Sequence, residues 1–222
     1  KTKDDMQQRM SALLRDILPR HRSEHIVIVT HADPLQNIRH FFTQEDPFKL
    51  SHQPYPTYAE PFTFFWDHDR EAALDLHKET VDGLSWASGQ RDDAVEVTVV
   101  RHGQTDWNVQ GKVQGRGSDI PLNATGKDQA QALAKALKGK KFDAIVCSSL
   151  QRAIETAEIV SAAINVPVME RPELLDERAS GIWEGMLKQD IYALYPHLLR
   201  SEAIAFHAGS PKNGERLSQF IS

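Results

Sequence analysis

Cysteine is almost missing from this chain: among 222 residues only Cys147 carries a thiol. No internal disulfide can form, and such sparse use fits a reducing compartment. Also missing is any apolar run long enough to cross a bilayer, and the charged start Lys1–Asp5 lacks the apolar core of a secretory signal. The expectation is a soluble, cytoplasmic chain with no membrane partner. Positive charge is in deficit, with 26 Lys and Arg against 31 Asp and Glu and a net charge of -5. That leaves no basic footprint for nucleic acid, so an anion site has to be built from a few placed cations. Metal-binding patterns are lacking too. His21, His25, His40, His52, His68, His77, His197 and His207 form no His-x-x-x-His pair within one helix, and Asp67-His68-Asp69 reads as a solvated turn. Repeats and low-complexity tracts do not occur.

What is present is a series of short, β-branched apolar runs separated by helical patterns, the pattern of an α/β fold with a mostly parallel sheet. At this length, with 40% hydrophobic residues, one good core and a single domain are expected. Three of the runs end in chemistry. Val95–Val100 leads into Arg101-His102-Gly103, Ile26–Thr30 into His31, and Ala144–Cys147 through Ser148 and Ser149 to Arg152. In open α/β sheets ligands bind beyond the C-terminal strand ends, and two histidines with two arginines there make a phosphate site.

Helices are expected where apolar residues recur at helical spacing. One covers Lys1–Leu18, with Met6, Met10, Leu13, Leu14, Ile17 and Leu18 as its buried stripe and Pro19 as its end. Another runs over Leu35–Phe42, behind Asp33 as N-cap and Pro34 in its first turn. A third follows the capping pair Thr125 and Asp128, and a fourth spans Leu150–Ile164 before Asn165-Val166-Pro167 returns the chain to a strand. Residues 43–93 differ in character, holding Pro47, Pro54, Pro56 and Pro61 and a strand over Phe62–Trp66.

With Gln104-Thr105-Asp106-Trp107-Asn108 added to Arg101-His102-Gly103, the chain resembles the histidine phosphatase (phosphoglycerate mutase-like) superfamily. In that family the Arg-His-Gly strand opens the domain and the second-histidine strand comes near its end, whereas here His31 precedes His102. One cyclic shift restores the order. Gly214–Ser222 resembles the start of the helix that leads to the second histidine, and Lys1–Leu18 reads as its remainder. The resemblance therefore implies a circularly permuted, three-layer α/β/α domain: 1–48 as the second-histidine half, 49–93 as a joining segment with one edge strand, and 94–222 as the Arg-His-Gly half. It also implies that Ser222 and Lys1 lie close together, in one molecule or across a swapped homodimer. Leu74–Asp82 is similar to a stretch of isoleucyl-tRNA synthetases, but the match is short enough for chance.

The resemblance assigns roles position by position. His102 matches the nucleophile, a neutral imidazole that attacks phosphorus to give a phosphohistidine. Arg101, Arg152 and His31 match the groups that meet the charge on the phosphoryl oxygens, and Asn108 a neutral donor. Glu177, within Leu174–Gly185, matches the acid that protonates the leaving oxygen and must hold its proton near neutrality. Asp176 remains open as the alternative acid, and Glu184 reads as structural. Gly103, Thr105, Ala32 and Arg116 are the further candidate substrate-binding residues, Arg116 and Lys112 lying in a loop expected to border the pocket. No metal or other cofactor is implied.

The implied activity is hydrolysis of a small phosphorylated metabolite. A phosphoglycerate mutase-type phosphotransferase is the alternative, disfavoured because the stretch from Glu177 to Gly214 is too short for the mutase branch's insertion. A catalytically idle regulatory or binding domain of a larger fusion is the other. One departure stands out: Ala32-Asp33 follow His31 where the family has glycine, and a carboxylate there repels phosphate unless Asp33 turns away to cap its own helix. Cys147 before Arg152 lacks the spacing and glycines of a cysteine-based phosphatase loop and reads as a small buried hydrophobe. Of Trp66, Trp86, Trp107 and Trp183, at least three read as packing, and Lys138, Lys140 and Lys141 as a solvated helix end.

Overall fold

Alternation along the strands decides the architecture seen in the computed structural model, which describes residues 6–45, 56–67, 72–73, 94–195 and 214. The strands are β1 (His25–Thr30), β2 (Pro61–Asp67), β3 (Ala72–Ala73), β4 (Ala94–Arg101), β5 (Ala144–Cys147) and β6 (Val168–Glu170). The helices are α1 (Met6–Ile17), α2 (Ala32–Thr43), α3 (Asp106–Val109), α4 (Ala124–Leu137), α5 (Gln151–Ile164) and α6 (Lys188–Leu194). β1 sends Ile26 and Ile28 to one face of the sheet and Val27 and Val29 to the other, and β5 divides Ala144 and Val146 from Ile145 and Cys147 in the same way. A strand covered on both faces has to be apolar throughout, as these are. The stripe of α1, with Leu35, Ile38, Phe41 and Phe42 of α2, packs on the first face. Leu133, Ala134 and Leu137 of α4, with Ala153, Ala157 and Val160 of α5, pack on the second. The result is the three-layer α/β/α domain.

The sheet runs β3-β2-β4-β1-β5-β6, with β4, β1, β5 and β6 parallel and β2 antiparallel to β4. β2 was expected at the edge; β3 pairs outside it through Trp66 and Asp67 instead. Register then sets the functional geometry. Thr30 lies opposite Arg101 and Val29 opposite Cys147, so His31, His102 and Ser148 emerge at one level. Their exits are tied together, His102 N donating to Thr30 O and Ser148 N to Val29 O, each at 2.9 Å.

Two helix starts differ from the sequence expectation. α2 begins at Ala32 with His31 as its N-cap residue, which places Asp33 inside the first turn rather than before it. α4 is capped by Asn123, whose side chain accepts from Gly126 N at 2.8 Å, so Thr125 is already helical. Asn is the stronger cap, and several cap-forming residues in a row leave the choice to tertiary contacts. One contact here is very close. A Cβ on Gly103 would sit 2.4 Å from Gly126 O, and one on Gly126 2.1 Å from Gln104 O. The two glycines let the loop after His102 lie directly on the first turn of α4.

Among the described residues no helix is long and apolar enough to cross a membrane. Ser222, Lys1, Trp86 and Leu74–Asp82 fall outside the described residues, and with them the expected proximity of the two ends.

Candidate active site

A cavity of about 380 Å³ opens at the C-terminal ends of β4 and β1, within the usual size of a small-ligand site. Of the residues expected at the site, Ala32, Arg101, His102, Asn108, Arg152 and Glu177 line it. His31 lies behind this wall, fully buried, with its ring centroid 5.0 Å from that of His102.

His102 is nearly buried, and its Nδ1 sits 2.6 Å from Gly103 O. A carbonyl can only accept, so Nδ1 carries the proton and Nε2 holds the free lone pair. Burial, then the charges of Arg152 and Arg101, push its pKa well below the usual histidine value. The ring is therefore neutral at physiological pH, which a nucleophilic nitrogen requires. His31 is held down in the same way, by burial first and then by Arg152 and His102.

Arg152 is fully buried at the start of α5, and its guanidinium is steered by carbonyls: Nη1 donates to Ser118 O at 2.8 Å and Nη2 to Gly115 O at 3.3 Å. Nε is buried without a hydrogen-bond partner. A buried cation clamped by neutral acceptors keeps most of its charge for an anion. The loop that supplies those carbonyls is itself wrapped around Glu184, which accepts from Ser118 Oγ, Gly117 N and Ser180 N. A Cβ on Gly115 would lie 2.2 Å from the Glu184 carboxylate. Glu184 thus does the structural work expected of it, two steps removed from the cavity.

Arg101 Nη1 donates to Pro56 O at 2.8 Å, and its guanidinium lies 4.1 Å from the centroid of the Tyr58 ring. Tyr58 also lines the cavity. The segment between β1 and β4 therefore supplies part of the wall, which nothing in its sequence announced.

Glu177 faces the cavity with one oxygen accepting from Arg178 N at 2.8 Å. Burial and, next, the nearby Asp33 carboxylate raise its pKa to about 7. It holds a proton close to neutrality, as a general acid must. Asp176 turns the other way, accepting from Ser148 Oγ, Ser149 N and Ser149 Oγ, and it does not line the cavity. The alternative that made it the acid is set aside on that geometry. Asp33 does not cap its helix; its carboxylate pairs with Arg178 Nε at 3.1 Å, which offsets the charge that would repel a phosphate.

Three expected substrate-binding residues do not line the cavity: Gly103, Thr105 and Arg116. The Gly103 amide donates to Thr156 Oγ1 at 3.1 Å, and Thr105 is a fully buried N-cap that fastens Asn108 through a reciprocal capping box. With Asn108 Oδ1 taken by Thr105 N, the amide NH2 is the end left for a ligand. Lys112, Arg178 and Lys188 also line the cavity and, with Arg101 and Arg152, outnumber the carboxylates Asp33 and Glu177 there. Cys147 is fully buried, and burial pushes its thiol up to about 12.

A family model described as the histidine phosphatase superfamily (branch 1) matches residues 97–222. The phosphatase PhoE of Bacillus subtilis, described as uncharacterized, is 45% identical over 100 residues, covering 45% of this chain and 51% of the relative. Phosphoserine phosphatase 1 of Hydrogenobacter thermophilus is 33% identical over 124 residues, covering 56% of this chain and 58% of the relative. The chain thus spans about half the length of these relatives. Among solved structures, that of a mycobacterial glucosyl-3-phosphoglycerate phosphatase in complex with VO3 matches with 34% identity and a TM-score of 0.46, covering 52% of this chain and 56% of that one.

Proposed function

The chain belongs to the histidine phosphatase superfamily (branch 1), and from that premise we propose that its site hydrolyses phosphomonoesters of small metabolites through a phosphohistidine on His102. One observation carries the reading: His102 keeps a neutral ring with its proton on Nδ1, so that Nε2 has a lone pair in a cavity walled by Arg101 and Arg152. In the first step Nε2 attacks phosphorus and the ester P–O bond breaks. The leaving oxygen takes the proton of Glu177. In the second step the Glu177 carboxylate removes a proton from water, which attacks the phosphohistidine and releases inorganic phosphate. Arg152 and Arg101, with the Asn108 amide, meet the charge that spreads over the equatorial oxygens. Relatives named for phosphoserine and α-ribazole phosphates support a small phosphorylated metabolite as the substrate class.

The reading extends to the order of the parts. Residues 1–48 and 94–222 are taken as two halves of one site in cyclically shifted order; the parallel pairing of β1 with β4 and the adjacency of His31 and His102 support this. Turnover of a generic aryl phosphate by the purified chain tests the activity, and none with any phosphorylated metabolite would leave an idle binding domain. A parallel assay of phosphoryl transfer between phosphoglycerates separates a hydrolase from a mutase.

A further inference from the structure

The second histidine is held by a chain of buried hydrogen bonds with a definite direction. Ser148 Oγ lies 2.7 Å from His31 Nε2 and 2.7 Å from Asp176 Oδ1. A hydroxyl has one proton, and a carboxylate cannot give one, so Ser148 donates to Asp176 and its oxygen accepts from His31. His31 and Ser148 are fully buried and Asp176 nearly so, and no solvent competes for these bonds. The far end is pinned hard. Asp176 also accepts from Ser149 N and Ser149 Oγ, while Arg9 Nη1 donates to the carbonyls of Leu174 and Asp176 and Thr30 Oγ1 to that of Leu175. Donors from α1 and β1 thereby fix the carboxylate against the strand end it serves. At the near end His31 Nδ1 is buried with no hydrogen-bond partner, so the ring is fastened through Nε2.

We propose that Ser148 and Asp176 are positioning residues for the phosphatase reaction: through the chain His31–Ser148–Asp176 they fix the ring of His31 and its Nε2–H tautomer. His102, by contrast, is locked by Gly103 O with its proton on Nδ1. A hydrogen-bonded partner that fixes an imidazole's tautomer and orientation can be worth orders of magnitude in rate. The catalytic part of this inference rests on the phosphatase reading, whereas the tautomer part stands on geometry alone.

The test reads both. Nitrogen-15 NMR of histidine-labelled protein assigns each ring's tautomer, and the expected result is Nε2–H for His31 and Nδ1–H for His102. In Ser148→Ala, which removes one buried oxygen and adds nothing, His31 should lose its fixed tautomer while His102 keeps its own. The variant's kcat/KM on an aryl phosphate should fall by about tenfold to a hundredfold, with a matching loss of affinity for vanadate. Asp176→Asn offers a second handle, because its amide can donate to Ser148 and so reverse the chain, moving the proton of His31 to Nδ1. A wild-type spectrum with His31 as Nδ1–H, or a Ser148→Ala protein with unchanged tautomer and unchanged kcat/KM, overturns the proposal. An inactive wild-type protein with the expected spectra would instead remove the phosphatase reading and, with it, the catalytic role of the chain.

Discussion

His102 and His31 leave adjacent parallel strands at the same level, one after Arg101 and the other after Thr30, which face each other in the sheet. Both rings are buried and both are held neutral by burial and by the same arginines. The difference lies in what each ring touches next. His102 gives its Nδ1 proton to a carbonyl one residue away, a local contact that the Arg-His-Gly turn builds by itself. His31 is fastened to Ser148 from β5's end and, through it, to Asp176, a contact that exists only once three separate segments have folded. Strand register puts two imidazoles side by side, and the partner of each decides which nitrogen is left to act.

The largest effect should come from removing the first ring. His102→Ala is expected to lower turnover of an aryl phosphate by at least about 10⁴-fold, as loss of a nucleophile does; retention of substantial activity in steady-state assays would make the two rings interchangeable. Next in size is Glu177→Gln, which should cost about 10³-fold on alkyl phosphates and far less on p-nitrophenyl phosphate, whose leaving group needs little protonation. Equal losses on the two substrates would assign the proton to water. The same residue sets the alkaline limb. With its pKa raised to about 7, the acid form is lost as pH rises through that value, so kcat/KM on alkyl phosphates should fall there, and the fall should vanish in Glu177→Gln.

His31→Ala is expected to cost about 10²-fold, the scale of losing a group that supports the reactive residue, while a slow-forming label still appears on His102. If the label vanished instead, the division of roles between the rings would fail. The smallest effect concerns Asp33. Because its carboxylate helps to raise Glu177 and pairs with Arg178, Asp33→Asn should let the Glu177 pKa fall and move the alkaline limb to lower pH. A pH–rate profile shifted the other way would contradict the electrostatics described.

Elements with a strong local signature were legible in the sequence: the apolar strands, the stripe Met6 to Leu18, the Arg-His-Gly turn and the segment around Glu177. The helix starts of α2 and α4 were not, because His31, Asp33, Asn123 and Thr125 offer rival caps and packing chooses among them. Ser148 stands in the sequence only as a polar residue beside a motif, Asp176 as an alternative acid and Glu184 as structural; what each one holds depends on which loop it reaches across the fold. Tyr58 gave no signal at all. It matters because β2 pairs with β4 in a register that brings Ala59 N to Arg101 O at 3.0 Å and so sets the ring beside the guanidinium.

The proposed reaction turns on a covalent phosphoryl group on Nε2 of His102. Rapid quench of the protein with a phosphorus-32 phosphomonoester, followed by acid and alkali stability tests and peptide mapping, measures it most directly. The expected label is lost in acid, survives alkali, maps to His102 and is absent from His102→Ala. A label on another residue, or full turnover by His102→Ala, would contradict it.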